Sequence, residues 1–88
     1  PSLAKSLQNV ASILWTLKRR DESITACESA MKIMRRVAEK ETYFLAALVE
    51  ALEQLAGYLV ENGDTEHASA VTSEASEVRA KIALLPPE

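Results

Sequence analysis

Few residues in this chain have the chemistry to act on a substrate, and their spacing argues against it. His67 is the only histidine. It has no cysteine, histidine or carboxylate cluster at ligand spacing, so it offers no metal site and no base for a nucleophile. It falls in the first turn of an expected helix and reads as a surface residue. Cys27 stands alone, which excludes an intrachain disulfide and a cysteine-based metal site and is compatible with a reducing compartment. Glu50 and Glu53 share one helical face, but paired acids on an exposed helix are ordinarily solvated. Two glycines do not make a phosphate-cradling loop. No catalytic constellation can be assembled, so the expectation is a protein that is not an enzyme and needs no cofactor or metal.

Binding chemistry is better represented. Lys18-Arg19-Arg20 is followed at once by Asp21 and Glu22, which is not a phosphate track. With a net charge of −3, the chain is not expected to bind nucleic acid. The triplet instead complements the C-terminal dipole of one helix, and the two acids suit the N-terminus of the next. Trp15 is the most informative single residue. A large amphipathic ring at the edge of a polar face can anchor a partner, or it can pack at the rim of the core.

These residues are positioned by an internal repeat. Adding 45 to each number carries Leu7 onto Leu52, Val10 onto Leu55, Ala11 onto Ala56 and Leu14 onto Leu59. Further on, Ser23 falls on Ala68, Ala30 on Ala75, Ile33 on Val78, Val37 on Ile82 and Ala38 on Ala83. Each copy reads as a helical hairpin. The first helix runs from Ser2 to Leu17, started by Pro1, with Leu3, Leu7, Val10, Ala11, Leu14 and Leu17 on one face. The second, about Asp21 to Ala38, has a wide apolar arc of Ser23, Ile24, Ala26, Cys27, Ala30, Met31, Ile33, Met34, Val37 and Ala38. An arc that wide implies two neighbours. Lys32, Arg35 and Arg36 lie off it and are expected to be solvated.

Residues 39–42 carry no Gly, Pro or Asn. Either Thr42 caps a third helix, or helices two and three fuse into a rod that swaps with a twin. The third helix, about Tyr43 to Glu61, presents Leu45, Leu48, Leu52, Leu55, Ala56 and Leu59. Asn62-Gly63-Asp64 is a stop and restart, with Gly63 left-handed and Asp64 as a cap. The fourth helix, about Thr65 to Leu84, shows Ala68, Val71, Thr72, Ala75, Val78, Ile82 and Ala83, with Ser76 and Arg79 intruding. It is either a solvent-facing end or a face awaiting another helix. Pro86-Pro87 ends regular structure.

Composition agrees with a helical domain. Of 88 residues, 48% are apolar and 26% charged, with only two Gly and three Pro, which suits an ordinary globular chain. One domain spans 1–88, with repeat one at about 2–40 and repeat two at about 43–85. A core this small gains from a neighbouring repeat or subunit. No apolar run is expected to span a membrane and no signal peptide is visible, so an intracellular, cytoplasmic location is expected. A chain opening on Pro1 rather than Met reads as an excised or processed piece. Residues 1–41 hold eight Lys/Arg against five Asp/Glu, giving +3, and residues 42–88 hold two against eight, giving −6. Such halves can attract head to tail or simply be solvated faces.

The Leu7/Val10/Ala11/Leu14 group with Ser23, Cys27 and Ala30, and the Leu52/Leu55/Ala56/Leu59 group with Gly63, Ala68 and Ala75, resemble the tetratricopeptide repeat family. The likeness covers two repeats, nearly the whole chain, and is nearest the long-period variety found in kinesin light chains, whose opening run matches Leu7-Gln8-Asn9-Val10-Ala11. Departures are the 45-residue spacing against roughly 34 in the common repeat, and Cys27 and Thr72 where a large aromatic is usual. Lys18 stands at the first turn glycine, and Arg35 and Arg79 at the consensus proline. The resemblance implies an all-α fold of two stacked helix-turn-helix hairpins, a right-handed α-solenoid fragment. The plain alternatives are a four-helix bundle and a hairpin-swapped dimer.

The resemblance also implies a concave groove lined by the first helix of each hairpin. Repeat one would contribute Lys5, Gln8, Asn9, Ser12, Trp15 and Thr16. Repeat two would add Glu50, Glu53, Gln54, Gly57, Val60 and Glu61. Lys5 and Asn9 match part of the family's carboxylate clamp, but Gln54 replaces its second Asn and the acidic group repels an anion. The expected function is therefore a scaffold or adaptor that binds a peptide or helix carrying basic and apolar residues. The alternative is a structural unit that self-associates into a homo-oligomer.

Overall fold

A computed structural model describes residues 2–86. The helix-starting role of Pro1 and the helix-ending role of Pro87 lie outside the described residues. Four α-helices follow in order: α1 (Ser2–Thr16), α2 (Arg20–Lys40), α3 (Leu45–Glu61) and α4 (Thr65–Ala83). No strand occurs among the described residues, so the fold is all-α. α1 packs on α2, α2 on α3 and α3 on α4. The Cα atoms span 42 × 27 × 16 Å, so the thin direction has room for two helices packed about 8–10 Å apart and no third.

The first and last corners are the same structure built from different sequences. Lys18 has φ 64° and Gly63, 45 positions on, has φ 84°. The Lys18 N–H donates to the Trp15 carbonyl (3.0 Å) and the Arg19 N–H to the Leu14 carbonyl (2.9 Å). In the later corner Gly63 donates to Val60 (3.1 Å) and Asp64 to Leu59 (2.9 Å). A left-handed residue thus satisfies the last carbonyls of each first helix. Gly63 does so freely, whereas Lys18 bears the steric cost of its Cβ. The expected cap at Asp64 is present, its Oδ1 accepting from the His67 N–H at 3.2 Å. Asp21 and Glu22 occupy the first turn of α2, as its dipole favours.

The middle corner is a true break. Glu41 is extended (φ −135°, ψ 113°), and Thr42–Phe44 form one 3-10 turn, with Phe44 donating to the Glu41 carbonyl at 3.1 Å. Helices two and three are therefore not a single rod. Thr42 does not cap the third helix: no side-chain capping bond is made there, and α3 begins only at Leu45. Phe44 is half-buried against the core while Tyr43 stays in water, so the turn serves to tuck one aromatic ring under the helices.

Packing follows the expected arcs, with one redistribution. Every member of the α2 arc is buried or half-buried. Leu45, Leu48, Leu52, Leu55 and Leu59 are buried in α3, joined by Val49 and Ala51, while Ala56 is half-buried. Within α4, Ala68, Val71, Ala75 and Val78 are buried and Ile82 half-buried. Thr72 and Ala83 are exposed, and Ser76 and Arg79 do not intrude but point to solvent.

The face of α1 divides. Ala4 and Ala11 are fully buried and Leu7 and Leu14 half-buried, whereas Leu3, Val10 and Leu17 are exposed at 62, 45 and 60%, with Ile13 beside them at 60%. The reason is close approach: the Ser23 hydroxyl donates to the Ala11 carbonyl at 2.6 Å, which only a small residue on α1 permits. By length and composition Thr42–Glu61 could cross a membrane, contrary to the expectation that no run would. The stretch belongs to α3, which packs against both α2 and α4 and buries Leu45, Leu48, Val49, Ala51, Leu52, Leu55 and Leu59.

Candidate interaction surface

α1 and α3 come together through long side chains rather than close backbones. Gln54 Nε2 donates to the Gln8 carbonyl (3.3 Å) and to Ser12 Oγ (3.2 Å). The Tyr58 hydroxyl donates to Ser12 Oγ at 3.4 Å, and the Ser12 hydroxyl passes its own proton to the Gln8 carbonyl at 3.2 Å. The Trp15 and Tyr58 rings stack, centroids 4.2 Å apart and 12° from parallel. Arg20 sets its guanidinium carbon 4.9 Å from the centre of the Trp15 ring, and its Nη1 donates to the Glu61 carbonyl at 3.3 Å. A cation near an aromatic face and an offset ring pair are both attractive. Gln54 Oε1 is shut off from water with no hydrogen-bond partner.

The residues expected to line a groove divide into fixed and free. Gln8 and Trp15 are half-buried, and Ser12 is exposed but engaged in this network. Trp15 thereby links α1 to α3 while part of its ring stays open to solvent. Thr16 closes a bond onto the Ser12 carbonyl at 3.0 Å, and Glu53 pairs with Arg79 of α4. Lys5, Asn9, Glu50, Gly57, Val60 and Glu61 are exposed. Nothing lies within 4 Å of where a Gly57 Cβ would stand, so the chain itself does not require glycine there. Lys5, Gln8 and Glu50 share one open depression of about 450 Å³, floored by Met34, Phe44 and Ala47.

Two features escaped the sequence. Tyr58, the ring that holds Trp15, has no spacing signal because its partners lie on another helix. Arg35, expected to be solvated, is half-buried and grips Glu74 with two hydrogen bonds, one of 2.7 Å and a shorter one from Nη2 to Oε1. That bond, against the opposing effect of burial, raises the Arg35 pKa. The pair spans the larger groove of about 880 Å³, where Ala38, Leu45, Leu48 and Val78 of α2, α3 and α4 converge.

His67 Nδ1 lies 3.7 Å from Asp64 Oδ2, and no group of three metal-capable side chains occurs among the described residues. Cys27 is buried, and burial, with a smaller push from Glu28, lifts its thiol from 9.0 to about 11. At neutral pH it is therefore a protonated thiol, not a nucleophile. Comparison with protein-family models, with curated proteins and with solved structures gave no match.

Proposed function

We propose that the chain is a protein-interaction module that holds a peptide or helix along the surface shared by α1 and α3. The observation that supports this is the bridge from Gln54 and Tyr58 to Ser12. It joins two polar helix faces, through residues 42 and 46 apart in sequence, into one wall. Exposed Lys5, Asn9, Thr16, Glu50, Gly57 and Glu61 stand on that wall with no side-chain partner between them that would have to be broken. Under this reading the two hairpins stack as units of a right-handed, tetratricopeptide-like array. Glu53 is already held by Arg79 and Arg20 lies over Trp15, which leaves Glu50 and Glu61 as the solvent-facing carboxylates; the partner sets basic side chains against these two, with apolar ones between them.

Selection of random displayed peptides against the immobilised chain tests this. Selected sequences should be rich in Lys, Arg and apolar residues. Glu50→Lys with Glu61→Lys should weaken the best peptide by about tenfold or more, equivalent to about 1.4 kcal/mol. Undiminished binding by that double variant, or failure to select any peptide, refutes the assignment of this surface.

A further inference from the structure

The uncovered stripe on α1 has a covered counterpart in the same molecule. Leu3, Val10 and Ile13 become Leu48, Leu55 and Tyr58 when 45 is added. On α3 those positions are covered, Leu48 lying in one groove with Ala38 of α2. Leu48 and Leu55 are 5% and 0% exposed, and Tyr58 is half-buried against Trp15 and Ser12. α2 lies on α3 and places Met31, Met34 and Ala38 in the same core. On α1 the corresponding residues are 62, 45 and 60% exposed. α1 thus carries the apolar face of α3 without the hairpin that covers it.

A second copy of this chain supplies no fitting cover. Its α2 is already occupied by its own α3. Its far end is polar: where repeat one offers Gln8, Met31 and Met34, repeat two has Glu53, Ser76 and Arg79, all exposed. Arg79 and Glu53 are ion-paired across that surface, and seating leucines there would take both charges out of water. Pairing α1 with α1 fails for a different reason. The first 20 residues hold Lys5, Lys18, Arg19 and Arg20 and no acid, so two such surfaces repel.

We propose that α1 is the docking face for a further helical hairpin, whose second helix presents a Met/Ile/Ala face like that of α2. It seats on Leu3, Val10 and Ile13 in the relation α2 bears to α3, continuing that interface by one step. The two ends therefore differ: α1 carries an uncovered apolar stripe, whereas Glu53, Ser76 and Arg79 are exposed polar residues. The face is separate from the α1–α3 wall, so neither proposal rests on the other.

The test fuses a copy of residues 1–45 ahead of the full chain, which sets the added second helix against α1 at the native 45-residue offset. The extended chain should unfold in one transition at a higher denaturant midpoint than the 88-residue chain. Val10→Lys with Ile13→Lys, placed in the original α1, should lower the folding equilibrium constant of the extended chain about tenfold or more. In the 88-residue chain the same pair should change it by less than about threefold, because those side chains are already in water. Two separate transitions, or equal effects of the pair in both chains, overturn the proposal. So does a dimer of the 88-residue chain in sedimentation that Val10→Lys dissociates, which would make a second copy the occupant.

Discussion

Replacing Gly63 with alanine tests the duplicated corner most directly. Gly63 stands at φ 84°, and nothing lies within 4 Å of where an alanine Cβ would stand, so the substitution meets no steric contact beyond its own backbone. Forcing a Cβ into the left-handed region costs roughly 1–2 kcal/mol. Alanine recovers about 0.4–1 kcal/mol by restricting the unfolded chain. The net loss is about 1 kcal/mol, or a fall of roughly 4–8 °C in Tm for a domain of this size. The reciprocal change is Lys18→Gly, at φ 64°. It relieves the same strain, gives back the same entropy and forfeits a few tenths of a kcal/mol of helix-dipole attraction, for a gain of about 0.5 kcal/mol. Urea unfolding followed by circular dichroism resolves both. A neutral or stabilising Gly63→Ala would refute the left-handed corner, and with it the claim that position 18 is under strain.

Other outcomes follow from single contacts. Ser23→Ala removes the buried hydroxyl that donates to the Ala11 carbonyl at 2.6 Å and should cost about 1–2 kcal/mol in urea unfolding; the natural alanine at position 68 shows that the helix itself tolerates the residue. Tyr58→Ala removes the ring stacked on Trp15; it should cost about 2 kcal/mol and shift Trp15 emission to the red. Glu74→Gln should cost less than about 1 kcal/mol, since both partners of the Arg35 pair are partly in water, and the loss should shrink with added salt. Cys27 keeps its proton to about pH 11 when folded and to about pH 9 when unfolded. Its contribution is therefore complete below pH 9 and lost as pH rises through 11, by up to about 3 kcal/mol. Stability measured across that range in wild type and Cys27→Ala should diverge; parallel curves would show that the thiol does not titrate with folding.

The long arcs were legible from sequence because each helix repeats its apolar type many times. The arc of α2 came through residue by residue, since a helix between two neighbours has little room for a misassigned position. The face of α1 was legible only in part, for a physical reason. Ala11 was placed on it and is buried, but a short interhelical approach also selects Ala4, which no reading by hydrophobicity favours, and leaves Leu3, Val10 and Leu17 outside. The turn at Thr42–Phe44 could not be read from breaker residues because it has none; it is set by where Phe44 finds cover. Of the candidate surface, the polar positions were legible from helical spacing. The Trp15–Tyr58 stack and the Arg35–Glu74 pair were not, because each joins residues 39 or more apart in the chain.

A body whose Cα atoms reach only 16 Å in one direction has room for a single sheet of interlocking side chains. No hairpin keeps a private interior to retreat into. Peeling away α1 and α2 would wet Leu48 and Leu55, on which α3 depends, so the two halves must unravel together. The amides of α2 and α3, each flanked on both sides, should be the last in the molecule to exchange with deuterium.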